Sequence, residues 1–287
     1  MAISEADFQT VQQFVYRQAA IVLQPGKEYL VEARLTPLAA REGCSSLADL
    51  VSRIRSRPPT PLHKKVVDAM TTNETSFFRD TTPFQALEKV VLPQLLASRA
   101  KENAINIWCA AASSGQEPYS MAMVMRERFP QLSSWTVRFL ATDISREMLD
   151  RCRTGTYNQL EINRGLPVEL LAKYFKKQGM EWQIDESLRR SIDFRELNLV
   201  GPWPQLPPMD VVFLRNVLIY FDPQTKKSIL SKVKTLLKPD GYFFLGTSET
   251  LVQLDDGLRP IAIARSGCYQ LDRQLDRQTE RRTALVG

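Results

Sequence analysis

The sequence predicts an α/β fold, in which a small helical N-terminal domain precedes a doubly wound and mostly parallel sheet. Apolar residues recur at helical spacing before residue 57, whereas short apolar segments alternate with amphipathic ones from about residue 105 onward. A proline-rich breaker at 57–61 separates the two patterns. We therefore predict a helical domain over 1–57 and an α/β domain over 58–287.

The N-terminal pattern predicts three helices. Apolar residues between Phe8 and Leu23 fall on one helical face, and a second helix fits 28–42. Ser45 and Ser46 are residues that can cap the third helix. These helices would form a small bundle that ends at the prolines.

The α/β pattern starts with a long helix over 83–100. The predicted strands are 105–110, 137–142, 210–214 and 242–245, and the predicted helices between them are 118–129, 147–153 and 225–237. The strand 210–214 is hydrophobic throughout, as expected where both faces of a parallel sheet are covered. Residues 176–195 break this rhythm and are interpreted as an inserted, small antiparallel β-subdomain. Such sheets bind ligands at the carboxyl ends of their strands.

Composition limits the classes of protein that fit. The 287 residues carry a net charge of +6 and contain four scattered cysteines and one histidine, and no apolar run reaches the roughly 18 residues of a membrane span. We therefore expect a cytoplasmic protein with reduced thiols, no metal site and no membrane insertion. The single histidine, His63, is expected at the surface near the proline-rich linker.

The loop 108–117 joins the first strand of the sheet to its helix. Its small residues let the backbone approach a ligand closely, although plain packing explains such a turn equally well. The spacing fits neither a G-x-G-x-x-G motif nor a P-loop, which disfavours a nucleotide di- or triphosphate. The loop ends in Glu117, whose carboxylate suits a ligand with positive charge.

Asp143 ends the second predicted strand. Its carboxylate can accept hydrogen bonds from both hydroxyls of a ribose, and it can equally cap the helix that follows. The small-residue loop earlier in the chain favours the ribose interpretation.

Two further segments follow predicted strands. Asn198 and Leu199 can bind the N1 and N6 edge of adenine through an amide and a neighbouring backbone N–H, with an ordinary turn asparagine as the alternative. Arg215 and Asn216 follow the hydrophobic strand directly. Tyr220 lies one helical turn beyond Asn216, either facing the ligand or packed with its hydroxyl satisfied.

The segment 71–80, TTNETSFFRD, combines small polar side chains, two aromatic rings and an arginine without a regular period, and we interpret it as a wall over a polar, partly aromatic ligand. It strongly resembles the signature of the bacterial chemotaxis-receptor glutamate methyltransferases, the CheR family. Five more segments resemble that family in order and spacing: IWCAAASSGQEPYSMAM (107–123), FLATDIS (139–145), LNL (197–199), LRNVLIYFD (214–222) and LKPDGYFFLGTSE (237–249).

The resemblance implies a methyltransferase dependent on S-adenosylmethionine, with a Rossmann-like catalytic domain that follows the helical domain and carries the β-subdomain. It implies methylation of glutamate side chains on the cytoplasmic helices of chemoreceptors (methyl-accepting chemotaxis proteins), giving glutamate methyl esters for chemotactic adaptation. Arg79 and Tyr220 would act at the methyl-transfer centre. The residues that it assigns to the cofactor are Asn73, Thr75, Arg79, Glu117, Asp143, Asn198, Leu199, Arg215 and Asn216.

The residue chemistry agrees with this activity. A free glutamate has a pKa near 4.3 and is already a nucleophile at pH 7, so no general base is required. Arg79 can hold a carboxylate in a fixed geometry, and Tyr220 can orient its second oxygen.

Two alternatives remain open. The first is a methyltransferase of another substrate class, but the spacing from Asn216 to Tyr220 lacks the two prolines of nitrogen methylases. No groove for a flipped base is evident, so a nucleic-acid partner is not expected. The second alternative is an S-adenosylmethionine-binding adaptor without catalysis.

Two expectations concern the receptor. Charge attraction to acidic methylation helices is expected from five basic residues: Arg53, Arg55, Arg57, Lys64 and Lys65. The connection 179–185 is short and acidic beside that of family members that capture a C-terminal receptor pentapeptide as an added strand. We therefore expect that the pentapeptide is not required.

Overall fold

The first part of the molecule is a cluster of four helices. The computed structural model describes residues 3–56, 60–263 and 265–272. The four helices are α1 (Glu5–Ala19), α2 (Glu28–Arg41), α3 (Leu47–Ser56) and α4 (Pro61–Met70). Hydroxyl side chains begin two of them, since Ser4 accepts a hydrogen bond from Asp7 N and Ser46 accepts one from Asp49 N, both at 3.1 Å. The three helices predicted before residue 57 are confirmed.

Helix α4 belongs to the same cluster, although it follows the prolines. Its buried residues Val66, Val67 and Met70 share one apolar core with α1, α2 and α3. Pro61 lies in the first turn of α4, where its missing N–H would have no helical partner anyway. The helical unit therefore extends beyond the predicted end at residue 57, and the predicted boundary itself lies outside the described residues.

His63 is buried and structural, which corrects the surface position expected for it. Its Nδ1 accepts a hydrogen bond from Thr60 N at 3.1 Å, so Nε2 carries the proton and donates to Ile54 O at 3.1 Å. The imidazole thus ties the end of α3 to the start of α4. Its polar atoms made it look like a surface residue in the sequence, but both ring nitrogens have partners inside the cluster.

The rest of the molecule is built around ten strands within the described residues. They are β1 (Ala104–Ala110), β2 (Thr136–Asp143), β3 (Thr156–Asn158), β4 (Phe175–Gln178), β5 (Glu181–Ile184), β6 (Asp193–Glu196), β7 (Met209–Leu214), β8 (Leu237–Phe244), β9 (Leu258–Pro260) and β10 (Cys268–Leu271). The main sheet has the order β6-β2-β1-β7-β8-β10-β9. Its first five strands are parallel, and β10 and β9 add to that sheet in antiparallel pairing. The predicted α/β fold class is confirmed.

The chain passes from β1 to β2 on one side and later returns to β7 on the other side of β1. This change of direction opens a crevice beyond the carboxyl ends of the central strands. Alternate residues of β1 enter two apolar cores, one on each face: Ile107 and Cys109 in one core, Trp108 and Ala110 in the other. Because both faces are covered, these strands are hydrophobic throughout.

Helices cover the sheet. They are α5 (Thr82–Ala86) and α6 (Leu92–Ser98), which a π-helical turn (Leu87–Val91) joins, then α7 (Gln116–Arg128), α8 (Arg146–Thr154), α9 (Gln159–Asn163), α10 (Val168–Tyr174), α11 (Glu186–Arg189) and α12 (Pro223–Leu236). Two short 3₁₀ turns span Pro130–Ser134 and Leu218–Tyr220. Across the part of the chain that the structure describes, no helix has the length and apolar character needed to span a bilayer.

The small antiparallel sheet exists, but its bounds differ from the predicted 176–195. It has the order β3-β5-β4, so it begins at residue 156 and ends at residue 184. Residues Asp193–Glu196 form β6 instead, which pairs in parallel with β2 at the edge of the main sheet. Strands as short as these do not reveal their pairing partners in the sequence, and α9 and α10 separate β3 from β4 along the chain.

Candidate active site

A cavity opens in the crevice at the carboxyl ends of β1, β2 and β7. It brings together nine of the ten residues that the sequence singled out: Asn73, Thr75, Arg79, Asp143, Asn198, Leu199, Arg215, Asn216 and Tyr220. The tenth, Glu117, lies behind the wall. The segments come from positions 70 to 220 in the chain, so only the fold makes them neighbours.

Asp143, the last residue of β2, is buried at the base of this cavity. Its Oδ2 accepts a hydrogen bond from Ser113 N at 2.8 Å, and its Oδ1 accepts one from Ser145 N at 2.9 Å. Burial raises the pKa of the Asp143 carboxyl, and these backbone N–H groups act in the opposite direction. The cap of α8 is the neighbouring Ser145, whose side chain accepts from Met148 N. The alternative in which Asp143 is that cap is therefore wrong.

The loop between β1 and α7 has an unusual backbone. Ala111, Ser113 and Gly115 all have positive φ angles, of 57°, 50° and 95°. A Cβ at Gly115 would lie 3.0 Å from the sulfur of Cys152 and 3.1 Å from the hydroxyl of Tyr157, so both the φ angle and the space require glycine. The loop is thus held in one conformation, which directs Ser113 N towards Asp143.

Arg215 is one of the cavity residues, and its side chain is fully buried. It forms an ion pair with Glu117, and its Nη2 lies 2.7 Å from Asp80 Oδ2. Glu117 is therefore occupied by Arg215 and does not line the cavity, so its contact with a cofactor remains a prediction. These two ion pairs fix α7 and the segment 71–80 against the end of β7.

The polar residues and the aromatic Phe77 of segment 71–80 lie in different places, the cavity and the core. Most of its polar residues line the cavity, and Arg79 donates a hydrogen bond to Glu74 O at 2.9 Å. Phe77 is fully buried instead, with its ring centroid 5.0 Å from that of Tyr157. The prediction of an aromatic wall over the ligand is thus wrong for Phe77, because its ring anchors the segment in the core.

Asn198 has two protein partners for its side-chain amide. Its Nδ2 donates to Gln18 O at 2.8 Å, and its Oδ1 accepts from Val200 N at 3.1 Å. The Nδ2 keeps a second donor and the Oδ1 a second lone pair, so the contact of this amide with adenine remains a prediction. The amide also shapes a turn whose residues Asn198 and Leu199 both line the cavity.

Sequence reasoning assigned no role to Glu249, although its motif was recognised. Its carboxylate accepts hydrogen bonds from Asn216 N at 2.7 Å, Gly246 N at 2.8 Å and Ile219 N at 3.3 Å. Asn216 has a φ angle of 57°, which this clamp supports. Glu249 therefore fixes the turn that carries both Asn216 and Tyr220. A local pattern cannot show such a contact, because the partners lie about thirty positions apart.

The helical unit forms one side of the cavity, which sequence reasoning also missed. Ala19, Ile21 and Met70 line it. Arg34 of α2 donates to Met70 O at 2.7 Å and to Thr71 O at 3.0 Å, which fixes the exit from α4. Residues 71–75 thus reach the cavity with a defined direction.

The expected basic face is largely neutralised. Four of its five residues form ion pairs within the molecule: Arg53 with Asp49, Arg55 with Asp7, Lys64 with Glu196 and Lys65 with Glu42. Arg57 lies outside the described residues. Exposed pairs of this kind are screened and weak, so they can exchange partners.

Comparison with known proteins places the chain in a family. The description "CheR methyltransferase, all-alpha domain" matches residues 6–71, and "CheR methyltransferase, SAM binding domain" matches residues 73–266. The chain is 41% identical to the chemotaxis protein methyltransferase Cher2 of Pseudomonas putida, over 94% of this chain and 99% of that protein. It is 43% identical to chemotaxis protein methyltransferase 1 of Pseudomonas aeruginosa, over 89% and 94% of the two chains.

The two matched regions meet between residues 71 and 73, which agrees with the inclusion of α4 in the helical unit. Together they cover nearly all of the described residues. The chain therefore belongs to the CheR methyltransferase family and is a methyltransferase dependent on S-adenosylmethionine.

Proposed function

We propose that this enzyme methylates glutamate side chains on the cytoplasmic helices of chemoreceptors, giving glutamate methyl esters for chemotactic adaptation in the cytoplasm. The observation that carries the proposal is the position of Arg79. This arginine and Tyr220 line the same cavity as the buried carboxylate Asp143, within a chain of the CheR family. A guanidinium suits a carboxylate substrate and has no evident use for an amine substrate.

The cavity residues fit S-adenosylmethionine, which supplies an activated methyl group on a sulfonium. Within the described part of the chain, Asp143 has no cation among its hydrogen-bond partners, so its carboxylate is available to ribose hydroxyls. The turn at Asn198 and Leu199 offers backbone groups to the adenine edge. Asn73, Thr75 and Asn216 would hold the amino-acid part, with Glu117 and Arg215 fixing the wall behind them.

The substrate carboxylate needs alignment rather than activation. A glutamate is ionised at neutral pH, so no residue must remove a proton. Arg79 would hold one carboxylate oxygen and the hydroxyl of Tyr220 would hold the other, which directs the nucleophile at the methyl group. Alignment of this kind is worth about 7 kcal/mol or more of the barrier when it is complete. The grip on the ground state must stay modest, because equal binding of substrate and transition state would not raise kcat.

Receptor docking is proposed to be direct. The hairpin between β4 and β5 consists of Gly179 and Met180 alone, and Glu181 follows immediately. Such a short and partly acidic connection favours an enzyme that does not require a C-terminal pentapeptide. A saturable, micromolar titration with a peptide of the Asn-Trp-Glu-Thr-Phe type would contradict this part of the proposal.

The experiment is transfer of tritium from methyl-labelled S-adenosylmethionine to purified receptor cytoplasmic fragments. We expect label on the receptor that mild base releases as methanol, because esters hydrolyse there and methylated amines do not. Base-stable label would assign another substrate class. Cofactor binding without any transfer to receptors would favour the adaptor alternative.

A further inference from the structure

We infer that Lys232, on helix α12, is a positioning residue for adenine recognition: its ammonium fixes the turn 198–201 that faces the base of the cofactor. This inference deepens the cofactor assignment made under the proposed function and rests on it. Lys232 does not line the cavity itself, so it would act only through the turn.

The contacts of Lys232 are unusually complete for a lysine. Its Nζ lies 3.2 Å from Leu199 O, 3.3 Å from Val200 O and 2.7 Å from Gly201 O. An ammonium has three donors, so three successive carbonyls can use all of them. Such charge-assisted hydrogen bonds are stronger than neutral ones, and here they pull three carbonyls of one turn towards a single point.

The aromatic surroundings hold the ammonium in place. Its Nζ lies 5.2 Å from the ring centroid of Trp203, within the range of a cation–π contact. Trp203 Nε1 donates to Leu199 O at 3.0 Å, so the same carbonyl is fixed twice. The ring of Trp203 packs edge-on against Trp108 of β1, with centroids 4.9 Å apart. The turn is therefore linked to the centre of the sheet.

The direction of the carbonyls decides what the turn can offer to a ligand. With the carbonyls of residues 199–201 turned towards Lys232, the opposite side of the turn faces the cavity at Asn198 and Leu199. The amide of Asn198 is bound to Gln18 O and Val200 N, so its direction, like that of the backbone groups beside the base, depends on the conformation of the turn. Recognition by backbone groups requires a fixed backbone, which is what Lys232 supplies.

The test compares S-adenosylhomocysteine with S-inosylhomocysteine, which differs at the adenine amino group. For Lys232→Met we expect the KM for S-adenosylmethionine to rise about tenfold with kcat nearly unchanged, since only base binding is loosened. The preference for S-adenosylhomocysteine over its inosine analogue, measured by calorimetry, should fall with it. Lys232→Arg keeps the charge and should recover part of the preference.

The matched control is Lys234→Met, two residues further along α12, where the lysine pairs with Asp255 at 2.6 Å away from the cavity. It should leave both the KM and the preference unchanged. If Lys232→Met fails to fold, Lys232→Gln and Lys232→Arg carry the same comparison. Unchanged base preference in a folded Lys232 variant would overturn the inference. Because the calorimetric base preference is measured without a receptor, it is independent of whether the methyl acceptor is a glutamate.

Discussion

Asp143 and Asp210 lie on the two strands that flank β1, at opposite ends of those strands. We call the side of the sheet where the parallel strands begin its amino edge, and the side where they end its carboxyl edge. Both aspartates are buried, yet their partners differ. At the amino end of β7, Asp210 accepts hydrogen bonds from Arg99 Nε at 2.7 Å, from Lys238 Nζ at 2.9 Å and from Asn106 N at 2.8 Å. At the carboxyl end of β2, Asp143 accepts hydrogen bonds, among the residues that the structure describes, from backbone N–H groups alone.

The different partners of the two carboxylates indicate different roles, stability for Asp210 and ligand binding for Asp143. A buried carboxylate that two cations compensate is complete within the protein, and its neighbours depend on it for their own pairing. A buried carboxylate without a cation keeps part of its desolvation cost, which a ligand can relieve by donating hydrogen bonds. The first stabilises the amino edge of the sheet, and the second is the carboxylate that we propose binds a ligand at the carboxyl edge.

The largest effect is expected at the amino edge. Asp210→Asn leaves Arg99 and Lys238 without their shared buried partner, which should lower the free energy of unfolding by about 3–5 kcal/mol. Urea denaturation measures this loss. Asp240→Asn is the matched control, because Asp240 also pairs with Arg99 but is 37% exposed and should cost less. Affinity for S-adenosylhomocysteine should be unchanged at temperatures where the Asp210 variant is folded.

The carboxyl edge should show the reverse pattern. Asp143→Ala removes one or two charged hydrogen bonds to the ribose, about 1.5–3 kcal/mol each, with a smaller effect on unfolding. Calorimetric titration with S-adenosylhomocysteine is the measurement, and Asp150→Asn, an exposed change on the neighbouring α8, is its control. Wild-type affinity in Asp143→Ala would remove Asp143 from the ribose site.

Substitution of Arg79 should affect catalysis more than cofactor binding, although both take place in the same cavity. Arg79→Ala should lower kcat by about tenfold to a hundredfold, as expected for the loss of one charge-assisted grip on the substrate, and should change cofactor affinity less. Arg79→Lys keeps a charge without the planar fork and should be intermediate. Normal turnover in Arg79→Ala, measured by methyl transfer to receptor fragments, would show that the assigned role is wrong.

The smallest effect concerns a third aspartate, Asp68 of α4, at the junction of the helical unit and the sheet. Burial raises its pKa to about 6, with smaller contributions from Lys64, which lowers it, and from Glu196, Asp143 and Glu147, which raise it. Its Oδ1 is buried and has no hydrogen-bond partner among the described residues. The folded state therefore holds the proton more tightly than the unfolded state, and stability falls as pH rises from about 4 to 6.

Asp68→Asn should remove the loss of stability that ionisation of the buried Asp68 carboxyl causes. After allowance for solvent screening, we expect a gain of about 1 kcal/mol in unfolding free energy near neutral pH and almost none near pH 4. Asp49→Asn should change the unfolding free energy in the opposite direction. The hydrogen bond from Arg53 lowers the pKa of Asp49, so loss of the Asp49 carboxylate should destabilise the protein at neutral pH. A gain for Asp68→Asn that does not depend on pH would contradict the explanation.

The sequence predicted what local patterns can encode. Hydrophobic periodicity located the helices and the main strands, since burial on one or two faces leaves a regular trace. Motif positions after predicted strands identified six cavity residues, because parallel strands end at one edge, and the resemblance of segment 71–80 identified Asn73, Thr75 and Arg79. Contacts between distant residues left no such trace. The clamp from Glu249 to Asn216, the burial of His63 and the wall formed by the helical unit depend on which segments the fold brings together.

The most direct test of the contrast between the two aspartates is the affinity for S-adenosylhomocysteine as a function of pH, in the wild type and in Asp143→Asn. Burial raises the pKa of Asp143 in the free protein, and ribose hydroxyls that donate to its carboxylate would lower that pKa in the complex. The wild-type affinity should therefore weaken as pH falls, because protonation of Asp143 competes with the complex, whereas the variant should bind weakly with a flatter profile. Equal affinity and the same profile in both proteins would contradict the account.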